Sequence, residues 1–241
     1  MQATARLYLD DDHCYQVDAV VLDVQDGAIA FDRTCFFPGG GGQPPDSGRV
    51  LVGGAEPLEI ASVRADEGGV LWHIAGGKPP ATIVGAPARL VVDRERRIAL
   101  ARYHTVLHVL NTTALREYGG WITGVQIGTD YSRIDFKLEG FSAALCVELE
   151  AKVNVVLASG RALRSFYIPE EEFRRRADLL RTLDAQPPVH GGRVRVVEIA
   201  GFDAQACGGT HVASTAKVGR FSIFRTENKG RINKRLYVRL D

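Results

Sequence analysis

Four cysteines in 241 residues, Cys14, Cys35, Cys146 and Cys207, are too few and too irregularly spaced for a disulfide framework. They read as reduced thiols of a cytoplasmic protein, one of them a candidate metal ligand. No apolar run approaches the roughly 18 residues that a membrane-spanning helix needs. The opening Met1-Gln2-Ala3-Thr4-Ala5-Arg6 also lacks the apolar core of a secretory signal. The expectation is therefore a cytoplasmic chain with no membrane partner. An excess of one charge is missing too: the net is +1, which argues against a polyanion binder as a whole. No internal repeat or low-complexity segment stands out. What is present is ordinary globular composition, 45% hydrophobic and 24% charged, in a chain long enough for two domains.

Residues 1 to about 90 read as short strands broken by turns. Arg6–Leu9, Gln16–Leu22 and Ala28–Phe31 carry strand-forming residues, and Asp26-Gly27 is a hairpin signal. Strands recurring about every ten residues suggest a small β-barrel or sandwich. Pro79, Pro80 and Pro87 punctuate its end. Within this half, Gly39-Gly40-Gly41-Gly42-Gln43 is unusual, because consecutive glycines carry a high entropic cost on ordering. Either the stretch is a flexible loop, or it lies close to a ligand, with exposed amides and the Gln43 amide as specificity groups.

After the strand Ala88–Val92, Asp93 suits the N-cap of a helix over about 94–118, ended by Gly119-Gly120. Tyr103, Leu107, Leu110 and Ala114 form its apolar stripe. His104 and His108 lie beside that stripe, one above the other at i and i+4. A single histidine so placed is usually a core residue. Downstream, however, Cys207-Gly208-Gly209-Thr210-His211 offers a thiolate and a third imidazole, with glycines between that let both reach one ion. Three nitrogens and one sulfur suit Zn²⁺. Thr105 follows His104 where a zinc protease would have its glutamate base, so that class is rejected. Four protein ligands resemble a closed structural site, whereas a hydrolytic zinc keeps a position open, and the sequence leaves both readings standing.

Strands follow at Trp121–Gly128 and Ser132–Leu138, then a helix capped by Ser142 and running to about 158. A strand over Arg161–Ile168, a helix starting at Pro169 and Glu170, a strand over Val194–Ile199 and two terminal strands over 218–226 and 235–240 complete the chain. Without a βαβ rhythm the fold class is α+β. From Lys217 to Asp241 there are eight basic residues against two acidic ones, a net +6 that fits either a solvated sheet face or a phosphate-binding one.

His104-Thr105-x-x-His108, Thr123-Gly124-Val125-Gln126, Arg133-x-Asp135-Phe136 and Cys207-Gly208-Gly209-Thr210-His211-Val212 resemble the editing domain of alanyl-tRNA synthetase and its free-standing AlaX-type relatives. Phe36-Phe37-Pro38 with the following glycines and Gln43 is similar to the glycine-rich motif of the longer, AlaX-M-like type, here with four glycines and no acid before them. The related module of threonyl-tRNA synthetase pairs the same histidine and cysteine motifs, and Gly-Gly-Thr favours the alanyl type.

The resemblance implies a small N-terminal β-barrel-like domain over 1–88. A two-layer α/β-sandwich editing domain, of the threonyl/alanyl-tRNA synthetase second additional domain type, would follow over 89–241. It implies an ATP-independent deacylase serving translation fidelity, with one zinc per chain on His104, His108, Cys207 and His211. The partner would be tRNA(Ala) mischarged with serine or glycine, alanyl-tRNA(Ala) being spared. Thr123 is the first candidate for the seryl hydroxyl and Gln126 the second. Gly208 and Gly209 would line the substrate, Gly40, Gly41, Gly42 and Gln43 would form the glycine-rich loop, and Arg231, Lys234 and Arg235 would meet RNA phosphates. A monomer is compatible with all of this. The competing readings are another zinc-dependent ester or amide hydrolase and a non-catalytic RNA-binding module with structural zinc.

Overall fold

The computed structural model describes residues 2–182 and 186–241. They form two compact units, one of residues 1–40 and 44–98, the other of residues 41–43 and 99–241.

The first unit is a closed six-stranded barrel. Its strands are β1 (Gln16–Gln25), β2 (Ala28–Phe31), β3 (Gly48–Val52), β4 (Leu58–Ala65), β5 (Leu71–Ala75) and β6 (Pro87–Val92), in the order β1-β2-β5-β4-β3-β6 with β6 returning to β1. The hairpin between β1 and β2 turns on Asp26 and Gly27, both with positive φ (48° and 78°), as an Asp-Gly turn requires. Arg6 pairs with Thr34 in a two-residue ladder, but Leu7–Leu9 forms a 3-10 turn, not the strand its apolar residues suggest. Two polar devices hold the interior. Arg97 and Asp46 are each 1% exposed at the side chain and form an ion pair; Arg97 also donates to the Cys35 carbonyl at 2.7 Å. His73 Nδ1 donates to the Ile29 carbonyl at 3.2 Å, its Nε2 meets the Thr34 hydroxyl at 2.8 Å, and burial disfavours its charged form.

The sequence places the break at 88/89; the structure places it at 98/99. The reason is physical. β6 pairs with both β1 and β3 and closes the barrel, and Arg97 follows it in the chain.

That residue lies in the first turn of α1 (Arg94–Tyr118), whose start is capped by Asp93 accepting from the Arg96 amide at 3.1 Å. Gly119 ends it at φ 66°, and the Gly120 amide reaches back to the Ala114 carbonyl at 3.0 Å. In the second unit, β7 (Trp121–Gln126), β8 (Ser132–Lys137), β12 (Phe221–Asn228) and β13 (Asn233–Leu240) form an antiparallel sheet in the order β12-β13-β8-β7. Ser142 caps α2 (Ala143–Ala158) through the Leu145 amide. Leu107 and Leu110 of α1, Leu149 and Val153 of α2, and Ile134, Phe136, Leu236 and Val238 of the sheet share one core. Helices on one face of a sheet give the two layers of the expected α+β class. A second sheet is built on β10 (Arg193–Ile199), with β9 (Leu163–Pro169) on one side and β11 (Asp203–Ala206) on the other. Pro169 ends β9, and the helix expected after it is only Glu170–Phe173. No described helix is long and apolar enough to cross a membrane.

Candidate metal centre

The central turns of α1 carry His104 and His108, and β11 delivers Cys207 at its end. The loop after β11 then returns His211 to the same place. One ligand atom from each of the four lies within 4.8 Å of every other. The imidazole centroids are 4.3 Å apart for His104 and His211, 4.4 Å for His108 and His211, and 5.0 Å for His104 and His108. Cys207 Sγ lies 3.5 Å from Nε2 of both His104 and His211.

The far nitrogens of two rings are held. His104 Nδ1 donates to Gln43 Oε1 at 2.8 Å, and the same oxygen accepts from the Thr210 amide at 3.1 Å. The Gln43 amide group in turn donates to Thr210 Oγ1 at 2.8 Å. Both neighbours of Oε1 are donors and the neighbour of Nε2 is an acceptor, which settles which way the amide faces. His211 Nδ1 meets Thr105 Oγ1 at 3.1 Å. Each contact fixes ring orientation and leaves Nε2 turned toward Cys207. His108 Nδ1 is buried with no hydrogen-bond partner among the described residues. A buried orphan nitrogen beside two oriented imidazoles and a thiol fits a metal ion, and one sulfur with three nitrogens fits zinc.

Burial makes the rings ready ligands. It pushes the His104 pKa down to about 3, with the Arg195 charge adding to the effect. The same desolvation, with the neighbouring imidazoles and Arg195, takes His108 and His211 well below the ordinary range. All three are therefore neutral near pH 7, as metal binding needs. Arg195, itself 2% exposed, donates from Nη1 to the carbonyls of Cys207 (3.1 Å) and Gly209 (2.9 Å) and so shapes the loop. Beneath His108, the Gln205 amide donates to the His108 carbonyl at 3.3 Å and to Asp203 Oδ2 at 2.9 Å.

Gly209 is demanded by this packing. A Cβ there would lie 2.6 Å from His104 Nδ1 and 2.8 Å from Gln43 Oε1. Gly208 is closed off by Pro188, whose Cγ would be 2.9 Å away. Of Gly40, Gly41 and Gly42, it is Gly42 that is packed. Its φ is +84°, a Cβ would meet the Val125 carbonyl at 2.7 Å, and its own carbonyl accepts from the Ile127 amide. Gly40 and Gly41 have open space around them.

Gln43 differs from expectation: it is 2% exposed and its amide is spent on His104 and Thr210, so it orients a ligand and is not exposed for specificity. Gln126 is exposed and accepts from Arg133 Nε at 2.7 Å, while the Thr123 hydroxyl, exposed on β7, has no partner among the described residues. Of the basic candidates, Arg235 is bound to Asp135 by two bonds of 2.7 Å, Lys234 reaches Asn228 at 3.0 Å, and Arg231 is exposed in the turn. Thr105, Thr210, Arg195 and Gln205 were not singled out from sequence. Thr105 and Thr210 each adjoin a ligand histidine, which was the available signal.

Comparison with known proteins shows the family of the chain. The family described as threonyl and alanyl tRNA synthetase second additional domain matches residues 194–237. An alanyl-tRNA editing protein AlaX-M of Methanosarcina acetivorans is 33% identical over 98% of this chain and 99% of its own length. The protein of that name in Saccharolobus solfataricus is 30% identical over 97% and 98%. An alanine–tRNA ligase of Korarchaeum cryptofilum is 36% identical over 92% of this chain but only 24% of the ligase. With near-complete coverage of the free-standing proteins, and only a quarter of the ligase, this chain belongs to the family of AlaX-M-type alanyl-tRNA editing proteins.

Proposed function

We propose that the chain removes misattached serine, and glycine, from tRNA(Ala) by hydrolysing the aminoacyl ester, and spares alanyl-tRNA(Ala). One zinc ion per chain would be held by His104, His108, Cys207 and His211. The observation that carries the reading is this four-donor cluster, with two rings oriented from behind and a third nitrogen left without a partner. Bound there, zinc would supply Lewis-acid polarisation to an ester that is already activated.

The chain's own residues do the rest. Gln43 Oε1, an acceptor, holds the His104 ring with its proton on Nδ1, and the Thr105 hydroxyl holds the orientation of the His211 ring. Arg195 fixes the Cys207–Gly209 turn by its carbonyls, which keeps the Gly208 and Gly209 backbone close to the donors. Cys207 alone of the four is partly exposed, so substrate approaches from its side.

Selectivity for serine over alanine means reading one hydroxyl. A site built to bond that hydroxyl rejects the analogue lacking it far better than an apolar pocket excludes an added one. Thr123 is assigned to it, since its hydroxyl is exposed and unpaired whereas the Gln126 carbonyl is engaged by Arg133.

The test is deacylation of seryl-tRNA(Ala) beside alanyl-tRNA(Ala), by wild type and Cys207→Ala, with bound zinc quantified. Rapid loss of serine only, and a folded but inactive variant, is the expected result. Zinc present with neither ester turned over would refute it.

A further inference from the structure

The four-stranded sheet of the second unit has a second face that the site does not use. Ile134, Phe136, Leu236 and Val238 point into the core, so the alternate residues of β8 and β13 point away from it. Register places Gln126, Arg133, Tyr237 and Arg225 in one row across all four strands. Beside that row, Tyr131, Phe224 and Tyr237 form a three-ring cluster with centroids 6.1–6.2 Å apart. Arg225 lies over the Tyr237 ring at 4.9 Å and Arg239 over Phe224 at 4.5 Å. Tyr131 is 50% exposed and Phe224 43%, a large apolar exposure for a sheet surface.

The charge on this face favours an anion. Asp135 is taken by Arg235 and Glu227 by Arg225 and Lys229. Arg239 has no carboxylate partner among the described residues, and Arg133 approaches Asp135 only at 3.9 Å. Aromatic rings open to water, with guanidinium groups stacked on them, are the chemistry that receives unpaired bases and their phosphates. A protein partner would be served by the rings but would not need the uncompensated arginines. We propose that the outer face of this sheet is an RNA-binding surface: unpaired nucleotides stack on Tyr131, Phe224 and Tyr237, with phosphates at Arg133, Arg225 and Arg239. That the RNA is a tRNA rests on the editing function proposed above; the surface itself does not.

The experiment measures binding of an uncharged tRNA(Ala) transcript and of a blunt, fully paired RNA duplex to the full chain. Wild type is compared with Phe224→Ala, Phe224→Tyr and Arg239→Gln, each first shown to melt as wild type does. Phe224→Ala should weaken tRNA binding roughly tenfold. Phe224→Tyr should restore it, and Arg239→Gln should make the salt dependence shallower by about one unit of slope. The duplex should bind weakly and be insensitive to Phe224. Unchanged tRNA affinity in both the alanine and glutamine variants would overturn the proposal. So would equal wild-type affinity for tRNA and duplex, or loss of self-association in sedimentation in place of RNA binding. Seryl-tRNA(Ala) hydrolysis by wild type, run in parallel, separates the two readings. Hydrolysis with Phe224-independent binding removes this surface and leaves editing standing. Phe224-dependent binding without hydrolysis does the reverse.

Discussion

At the level of single residues, the candidate centre depends on groups that contribute no donor to it. Gln43 is one. Replacing it by leucine removes the acceptor for His104 Nδ1 and strands the Thr210 amide. Zinc affinity in a chelator competition should fall about 10- to 100-fold, the usual effect of losing such a partner. Gln43→Glu, which still accepts from both, should recover most of it. Gly209→Ala should be at least as harmful, because the added methyl has no room beside His104 Nδ1 and Gln43 Oε1. Normal zinc affinity in that variant would show that the loop relaxes without cost. For specificity, Thr123→Val should lower the ratio of seryl- to alanyl-tRNA(Ala) hydrolysis by an order of magnitude or more, measured as kcat/KM for each ester. The clustering of His104, His108, Cys207 and His211 was legible from spacing alone, because four residues of helix or a tight glycine turn leave little choice of direction. Gln43, 61 positions before His104, was legible only as a residue after glycines. Sequence separation of that size hides which side chain it meets.

Among elements, the barrel was legible as strands but not in its interior chemistry. His73 has no paired neighbour in sequence, yet register brings it opposite Ile29 and within reach of Thr34. Burial pushes its pKa down to about 4 from 6.5. The unfolded chain binds a proton at this residue below about pH 6.5 that the folded barrel refuses until about pH 4. Stability is therefore full above pH 6.5 and declines as the pH falls toward 4, by about 3 kcal/mol from this group. The other buried imidazoles shift in the same direction, so urea midpoints of wild type and His73→Phe should be compared from pH 7 to 4. The difference between the two proteins should track one proton. A pH-independent difference would mean that His73 titrates alike in the folded and unfolded chains, so that burial does not shift it. The Arg97–Asp46 pair makes a related case. Asp46→Ala leaves a guanidinium buried at 1% side-chain exposure, which should cost about 3–5 kcal/mol in urea unfolding, while loss of both partners should cost less. Composition gave no hint of this pair, since nothing in a sequence marks an arginine as buried.

For the whole molecule, the order of helices and strands and the α+β class were readable because caps and glycines mark the ends of α1 and α2. The position of the division between units was not. It depends on β6 closing a barrel, a pairing between segments some 70 residues apart in sequence. Metal removal acts at this scale. If zinc binds the folded chain only, saturation at about 1,000 times its Kd adds about 4 kcal/mol of stability. Chelation should lower the melting temperature accordingly while far-ultraviolet circular dichroism at 25 °C stays unchanged, because apolar packing of Leu107, Leu110, Leu149, Val153, Ile134 and Leu236 already joins α1, α2 and the sheet. Collapse of the helical signal on chelation would point to zinc as a folding ligand.

Gly41–Gln43 is grouped with the second unit although the chain on either side of it is grouped with the first. For protein engineering this makes the centre discontinuous cargo. A gene fragment encoding only 99–241 carries all four donors and still lacks the acceptor for His104. Anyone grafting the editing module onto another carrier would have to supply that one amide from a new direction.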